Sequence, residues 1–484
     1  MKNKSLKLNA MLNGVKQCCS VIFPLITFPY ISRVLQAENY GKYSFSYSIV
    51  SYFALIAALG ISKYAIREGA IRRNNPEEIK LFASQIFTIN LITTVFAYIL
   101  LFMTVFFVKN LQDYNSLIII LSSTIIFTTI GVDWINTIYE DYLYITVRYI
   151  IFQIISLIAL FAFVKSKEDY LIYAFITVFA NGGANILNYI HTRKYVKVSI
   201  VRALEMHVHI KPMLILFANN LAITVYINTD IVLLGVFQND MVVGVYSIAT
   251  KIYIIAKNLI NAVITVMVPR LSLYLGEKRH EEYHYLLNKL FSTLIILIMP
   301  VVTGMFMMSN NIIYIVGGEQ YIMGTTSLKI LSIALAFAVM SSFFTNAVLL
   351  PNKLESKFLI STVTAAMVNL MLNFITIPLF SLNGAAITTV IAEVIVLIMS
   401  IYYCKDKFIL NAVFRQILSC AVGCVFIVVC CLLVQLIISN IWWETIISVI
   451  SSSLIYTTFL LCIKNEIVIE LLKPFMKLFS RRAL

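Results

Sequence analysis

Three ionisable side chains lie inside two consecutive apolar segments, and they are the residues of this chain best placed to bind a charged molecule. Asp230 belongs to the first segment, and Lys251 and Lys257 belong to the second, beyond the polar turn at 238–240. If the segments cross a membrane, each charge costs about 2.5–3.5 kcal/mol at the bilayer centre. We therefore expect these side chains to line a water-filled cavity, where the lysines could bind an anionic cargo.

The polar residues of the second segment share one helical face. At 100° per residue, Lys251, Lys257, Asn258 and Asn261 fall within an arc of about 120°. The two lysines could instead extend to opposite membrane surfaces. Lys251, however, lies about ten residues, or about 15 Å, from the outer end of its segment. The pattern favours a polar stripe that faces a cavity.

Two further cations lie inside apolar segments of the first half of the chain. Lys16 is about six residues into the first segment, which also contains Pro24 and Pro29 and is predicted to kink there. Arg148 lies near the inner end of another segment and could face the cavity or extend to the membrane surface. For Asp230, two roles stay open: pairing with a lysine, or binding an ion that couples transport to a gradient.

One short pattern resembles the zinc-protease motif H-E-x-x-H. It runs from His280 to His284 within a basic stretch that offers no obvious third ligand. We predict no metal site there. His207 and His209 lie in another basic stretch and are expected to be solvated.

Composition identifies the elements that must position these residues. Of 484 residues, 60% are hydrophobic and 12% charged, and the mean hydropathy is +0.90. No soluble fold buries that apolar fraction, so the chain is predicted to be a polytopic membrane protein. The segments lack the alternation of barrel strands, which makes the fold all-α. The eight cysteines have no CxxC spacing and are interpreted as packing residues.

The apolar segments predict fourteen membrane spans, and the positive charges predict their orientation. With both termini in the cytoplasm, the inner segments hold 27 Lys and Arg residues and the outer loops hold 6. The net charge of +14 is therefore an orientation signal, and it does not indicate nucleic-acid binding. The spans lie at about 11–32, 43–62, 81–108, 116–138, 145–164, 170–191, 212–237, 241–267, 287–308, 328–350, 358–379, 383–403, 416–438 and 441–463.

The predicted loops are too short to contain an enzyme domain. The longest inner loops, 192–211 and 268–289, are basic. They are expected either to form amphipathic helices at the membrane surface or to act only as orientation signals.

A short internal repeat suggests two lobes. Gly41-Lys42-Tyr43-Ser44 recurs as Gly244-Val245-Tyr246-Ser247, 203 residues later. Because six helices separate the copies, the two halves would keep the same orientation. We predict an N-terminal lobe at 1–205 (helices 1–6), a C-terminal lobe at 206–404 (helices 7–12), and two additional helices with a cytoplasmic tail at 405–484.

Several motifs occur in the order found in one family of transporters. The matching segments are 28–35 with Asn39-Tyr40-Gly41, Ala65-Ile66-Arg67-Glu68, Asp133-Trp134 with Glu140, and 230–235 with 244–247 and Lys251. Two positions depart from the family's pattern: Gln36 stands where the pattern has Gly, and Thr137-Ile138 stand where it has Gln-Gly. By these motifs the chain resembles the Wzx-type polysaccharide flippases of the multidrug/oligosaccharidyl-lipid/polysaccharide superfamily.

The resemblance implies a fold and a cargo. Two six-helix lobes would surround a V-shaped central cavity, with helices 13 and 14 outside. The cargo would be an oligosaccharide repeat unit on undecaprenyl diphosphate, moved from the cytoplasmic to the outer leaflet of a bacterial inner membrane by alternating access. It would supply O-antigen for lipopolysaccharide biosynthesis, or capsule. A drug or cation exporter and a lipid II flippase of the same superfamily are the alternatives.

The resemblance also implies roles for the residues and partners. The chain would be a transporter without enzymatic activity, metal or cofactor, and coupling to Na⁺, H⁺ or the membrane potential stays open. A polysaccharide polymerase and a chain-length regulator are its expected protein partners. Asp230 would couple an ion or pair with a cation. The cargo-binding residues would be Lys16, Arg148, Lys251, Lys257, Asn258 and Asn261.

Overall fold

The computed structural model describes residues 6–405 and 413–470, which are helical and contain no strand. Twelve helical stretches among these residues are long and apolar enough to cross a membrane. The predicted all-α, multi-pass fold is confirmed. The chain divides into two compact units, Met1–Gly244 and Val245–Leu484.

Among the residues described in the first unit, nine α-helices and the start of a tenth are present. They are α1 (Leu6–Ala58), α2 (Ile61–Arg72), α3 (Pro76–Phe107), α4 (Asn115–Gly131), α5 (Asp133–Ile138), α6 (Tyr142–Phe163), α7 (Tyr170–Val178), α8 (Ala184–Thr192), α9 (Met206–Phe237) and the first residues of α10 (Asp240–Gly276). Helix α1 packs against α3, α4, α6 and α9. A π-helical turn, Phe179–Gly183, connects α7 to α8.

The described part of the second unit contains the rest of α10 and six further α-helices. They are α11 (His280–Met307), α12 (Ser309–Gly317), α13 (Thr325–Phe343), α14 (Glu355–Cys404), α15 (Val413–Ile437) and α16 (Ile441–Cys462). Helix α13 packs against α11 and α14, and α15 packs against α11 and α16. Many side chains of α15 and α16 remain exposed and apolar, as expected of helices that face lipid.

Two of the helices contain a sharp break. Helix α1 has 53 residues and is broken at Gln36, and α14 has 50 residues and is broken at Ser381. Because about 20 residues cross the hydrocarbon core, each of these helices is long enough for two crossings. Both breaks fall between predicted spans. The count of fourteen stays a prediction, since it depends on counting the halves of these helices separately.

The break in α1 lies at Gln36, and neither Pro24 nor Pro29 has non-helical backbone angles. Gln36 has φ 63° and ψ 171°, a conformation that essentially only glycine adopts without strain. The departure from the family motif, Gln in place of Gly, therefore occurs at the residue where the chain turns. A side chain at such a position costs about 1–3 kcal/mol.

The loop between α8 and α9 is not helical over 196–205, so the prediction of an amphipathic helix at 192–211 is wrong. Its backbone pairs with polar side chains of α3, which compensates for the absence of helical hydrogen bonds. Ser199 N donates to Ser84 Oγ at 3.2 Å, and Val201 N donates to Thr88 Oγ1 at 3.1 Å. Gln85 Nε2 donates to the Ala203 carbonyl at 3.0 Å.

The same region corrects the prediction that His209 is solvated. His209 is 3% exposed, and its Nδ1 lies 2.8 Å from the Tyr64 hydroxyl. Its Nε2 lies 3.1 Å from Gln85 Oε1. The histidine thus joins α2, α3 and α9.

The other long inner loop predicted from the sequence, 268–289, consists mostly of the end of α10 and the start of α11, so no separate surface helix forms there.

The two copies of the repeat cross at their glycines, within the first unit. A Cβ on Gly41 would overlap the Asp240 carbonyl and lie 2.9 Å from Gly244 N. A Cβ on Gly244 would overlap the Ala37 carbonyl and lie 3.1 Å from Gly41 N. Asp240 follows Ala37 by the same 203 residues that separate the glycines. The contact is therefore reciprocal, and it requires glycine on both sides.

Gly41→Ala and Gly244→Ala should each destabilise the protein, because the clashing atoms belong to the backbone and cannot rotate away. We expect a loss of about 1–3 kcal/mol or more, as for overpacked cores. Thermal unfolding of the purified protein in detergent measures it. Gly304→Ala is the matched control, since a Cβ there meets no atom within 4 Å. Equal stability of all three variants would contradict the close crossing.

Gln36→Gly should stabilise the protein by about 1 kcal/mol, because it relieves the strained backbone at the break. The same thermal unfolding measurement tests this. Gln17→Gly, at an exposed helical residue of α1, should instead destabilise it by up to about 1 kcal/mol. A loss of stability in both variants would show that Gln36 is not strained.

Candidate functional site

In the first unit, the structure brings the predicted cations Lys16 and Arg148 to neighbouring positions on packed helices. Lys16, in α1, is half-buried, and its Nζ lies 5.8 Å from the centre of the Tyr149 ring. Arg148 is the preceding residue of α6, and its guanidinium lies 5.6 Å from the centre of the Tyr144 ring. Lys16 thus contacts the residue that follows Arg148 in α6, and each of the two cations lies near a tyrosine ring.

Arg148 is held inside the unit by an ion pair. Its side chain is 10% exposed, and its Nη2 lies 3.3 Å from Asp133 Oδ1. That oxygen also accepts from Asn188 Nδ2 at 3.0 Å and from Asn136 Nδ2 at 3.4 Å. Asp133 was noted in the family motif but was not predicted as a site residue. A carboxylate at the end of a predicted span is the signal that could have identified it.

The guanidinium of Arg148 has donors to spare. Its Nε and Nη1 atoms are buried and have no hydrogen-bond partner among the described residues. Arginine carries five N–H donors in a planar fork that matches the oxygens of a carboxylate or phosphate. Because unpartnered buried donors are costly, an anionic group or water in this region would be bound favourably.

In the second unit, the predicted cation Lys257 forms an ion pair with a residue that was not predicted as part of the site. Its Nζ lies 2.7 Å from Glu393 Oε1, across from α10 to α14. Tyr253, one turn earlier in α10, donates its hydroxyl to the same oxygen at 2.8 Å. Ser341 of α13 donates to Oε2 at 3.3 Å. The carboxylate therefore receives donors from both α10 and α13.

Glu393 could have been found in the sequence by the rule that singled out Asp230. Both are carboxylates inside predicted spans, where an ionisable group indicates a functional site. The partner of Glu393 could not be predicted, because Lys257 and Glu393 are 136 residues apart and only the packing of α10 on α14 brings them together.

The polar stripe of α10 divides into a paired and an unpaired part. Lys251 is half-buried, and no carboxylate of the residues that the structure describes lies within ion-pair distance of it. Asn258 is exposed. Asn261 is half-buried, and its Oδ1 has no hydrogen-bond partner in the described part of the chain. Of the four predicted cations, Lys257 and Arg148 have a carboxylate partner, while Lys16 and Lys251 have none among residues 6–405 and 413–470.

Asp230 is buried in α9, beside a hydrogen bond of 3.1 Å between Thr229 and the Tyr52 hydroxyl. It belongs to the first unit, whereas Lys251 and Lys257 belong to the second. Both proposed roles of Asp230, ion coupling and pairing with a cation, stay predictions.

Within the described ranges, no group of three or more His, Cys, Asp or Glu residues could hold a metal ion.

Removing one partner of the Lys257–Glu393 pair should be destabilising, because it leaves a charge without compensation in a largely buried place. We expect Glu393→Ala to cost up to about 3–5 kcal/mol, less to the extent that water reaches Lys257. Chemical unfolding in detergent measures the cost. The double variant Lys257→Met/Glu393→Leu should recover most of it.

The exposed pair Lys42–Glu38 provides the control for this experiment. Glu38→Ala should change stability by no more than about 1 kcal/mol. Equal effects of Glu38→Ala and Glu393→Ala would show that the inner pair is as solvated as the outer one.

Comparison with known proteins places the chain in a family. The family described as "Polysaccharide biosynthesis protein" matches residues 6–275, more than half of the chain. A curated relative, "Putative O-antigen transporter" of Escherichia coli (strain K12), is 24% identical over 420 residues, which cover 83% of this chain and 97% of the relative.

Solved structures show the same fold at low sequence identity. "Lipid II flippase MurJ, inward closed conformation" aligns with a TM-score of 0.76 at 15% identity, covering 95% of this chain and 99% of that one. An inward-facing multidrug resistance MATE family transporter aligns with a TM-score of 0.58 at 13% identity, covering 80% and 98%. The family match over more than half of the chain shows that the chain belongs to the polysaccharide biosynthesis protein family, and together with the O-antigen transporter relative it confirms the resemblance to the Wzx-type flippases of the multidrug/oligosaccharidyl-lipid/polysaccharide superfamily.

Proposed function

We propose that this protein moves an oligosaccharide linked to undecaprenyl diphosphate from the cytoplasmic to the outer leaflet of a bacterial inner membrane. The observation that carries the proposal is the excess of cations inside the apolar helices. Lys16 and Lys251 have no carboxylate partner among the described residues, and Arg148 keeps two unpartnered donors. The curated relative is named as an O-antigen transporter, which supports a polysaccharide cargo.

The cations would serve the diphosphate. A lysine binds phosphate as a point charge, and the free N–H groups of Arg148 would add directed hydrogen bonds. Asn258 and Asn261 offer amide groups to the sugar hydroxyls. The polyprenyl chain would remain in the bilayer, against exposed apolar side chains of the helices. Alternating access would then expose the cations to each side of the membrane in turn.

The orientation of the protein in the membrane follows from the distribution of its charges. Both termini would lie in the cytoplasm, since the predicted inner segments carry most of the Lys and Arg residues. The product would be used by a polysaccharide polymerase and a chain-length regulator, for O-antigen or capsule. No cofactor is required, and an ion gradient or the membrane potential would supply the direction of transport.

Two other functions share the fold. A drug or cation exporter needs acidic groups for its cargo, yet Asp133 and Glu393 already pair with Arg148 and Lys257. This observation favours an anionic cargo. A lipid II flippase would carry the same diphosphate and lipid, and only the sugar distinguishes it.

Lys251→Ala should lower transport about tenfold or more, since a charge-assisted hydrogen bond contributes about 1.5–3 kcal/mol. The measurement is the amount of surface polysaccharide in a strain that lacks the gene and carries each variant at equal protein level. Lys251→Arg should restore much of the activity, and Lys80→Ala, at an exposed residue of α3, should behave like the natural protein. Full activity of Lys251→Ala would contradict its role in binding the cargo.

The same deletion strain separates the alternatives. Under our proposal it loses surface polysaccharide but keeps its drug susceptibility, and the gene does not restore growth to cells depleted of their lipid II flippase. Increased drug susceptibility would favour the exporter, and restored growth would favour lipid II transport.

A further inference from the structure

The Lys257–Glu393 pair is asymmetric in its access to solvent. The side chain of Glu393 is 3% exposed, whereas that of Lys257 is 23% exposed. Lys257 can therefore reach an external anion, while Glu393 cannot leave its place between α10, α13 and α14. Its Oε1 accepts from Lys257 and Tyr253, and its Oε2 accepts from Ser341.

A buried carboxylate cannot remain charged once its cation moves away. The cost of an uncompensated ion in such a place is several kcal/mol, and a carboxylate avoids this cost by binding a proton. The remaining donors, Tyr253 and Ser341, are neutral hydroxyls and do not supply the missing charge. Lys257 and a proton are thus alternative partners of the same carboxylate.

We propose that Glu393 is a proton site that exchanges Lys257 for H⁺ when Lys257 binds the diphosphate of the cargo. This inference rests on the proposed function and specifies how transport of the cargo would be coupled to protons. One proton moves from water to a carboxylate oxygen of Glu393, and the ammonium of Lys257 keeps all its protons. Release of the cargo returns Lys257 to Glu393 and the proton to water. Each cycle therefore takes up one proton when the cargo binds and releases it when the cargo leaves, so transport is coupled to the proton concentrations on the two sides of the membrane.

The surroundings of Glu393 can accommodate its carboxyl group in the protonated form. Among the described residues that bond to it, the titratable and charged ones are Tyr253 and Lys257, both in α10, while α13 presents the neutral Ser341. In the protonated form, the carboxyl O–H can donate to either hydroxyl, each of which also accepts. The neutral acid would thus stay hydrogen-bonded in place.

The experiment counts the protons that accompany binding. The full chain is purified in detergent and titrated at several fixed pH values around neutrality with a short-chain isoprenoid diphospho-N-acetylglucosamine. Both phosphates of this probe are permanently charged, so the probe itself exchanges no proton. Calorimetry in two buffers of different ionisation enthalpy gives the number of protons taken up per probe bound. For the natural protein we expect uptake that approaches one.

Three variants test whether Glu393 is the group that takes up this proton. Glu393→Gln should bind the probe at least as tightly but without proton uptake, because a neutral amide replaces the carboxylate. Lys257→Met should bind about tenfold more weakly and also without uptake, since no cation is transferred. Glu393→Asp keeps the carboxylate and should keep the uptake, with its midpoint at a different pH because the shorter side chain changes the ion pair. This last comparison does not require Glu393→Gln to fold.

The outcomes separate this inference from the function on which it rests. Binding without proton uptake, uptake that persists in Glu393→Gln, or a pH profile unchanged in Glu393→Asp would overturn the role of Glu393 and leave the diphosphate cargo intact. Failure of the natural protein to bind the probe would overturn the proposed function as well.

Discussion

The absence of water from the hydrocarbon core is the constraint on which this structure depends. Each charge inside a membrane-spanning helix needs a partner, an aqueous cavity or a ligand. Glu393 and Asp133 each receive a cation and neutral donors. Lys16 and Lys251 receive no carboxylate within 6–405 and 413–470, and an anionic cargo is the partner that would compensate them. We therefore propose that the ion pairs hold helices together until the cargo competes for the cation, as for Lys257, and that the unpaired cations bind the cargo directly.

Composition and hydrophobic periodicity predicted the fold class, and most segment boundaries, because the bilayer permits few alternatives. They could not predict the geometry of the loops. The segment between α8 and α9 can remain non-helical because Ser84, Gln85 and Thr88 of α3 satisfy part of its backbone, and His209 is buried by packing among α2, α3 and α9. Such contacts depend on tertiary structure, which a local pattern does not contain.

The repeat shows how much a motif of four residues can predict about tertiary structure. Four residues predicted an equivalence between two parts of the chain, and the structure places Gly41 and Gly244 in reciprocal contact. Gln36 shows the converse: its side chain departs from the motif, and the backbone retains the conformation that glycine favours. The candidate cations were likewise predictable one by one. Their partners were not, since Lys257 and Glu393 meet only through the packing of α10 on α14.

The central claim is that the protein moves a lipid-linked oligosaccharide across a bilayer. Its most direct test uses liposomes that contain the purified protein and the lipid-linked oligosaccharide of its own host, exposed to a glycosidase that cannot cross the membrane. Without the protein, only the outer-leaflet half of the cargo is cleaved. Our account predicts that the protein makes nearly all of the cargo accessible. Cleavage that stops at one half in both preparations would contradict it.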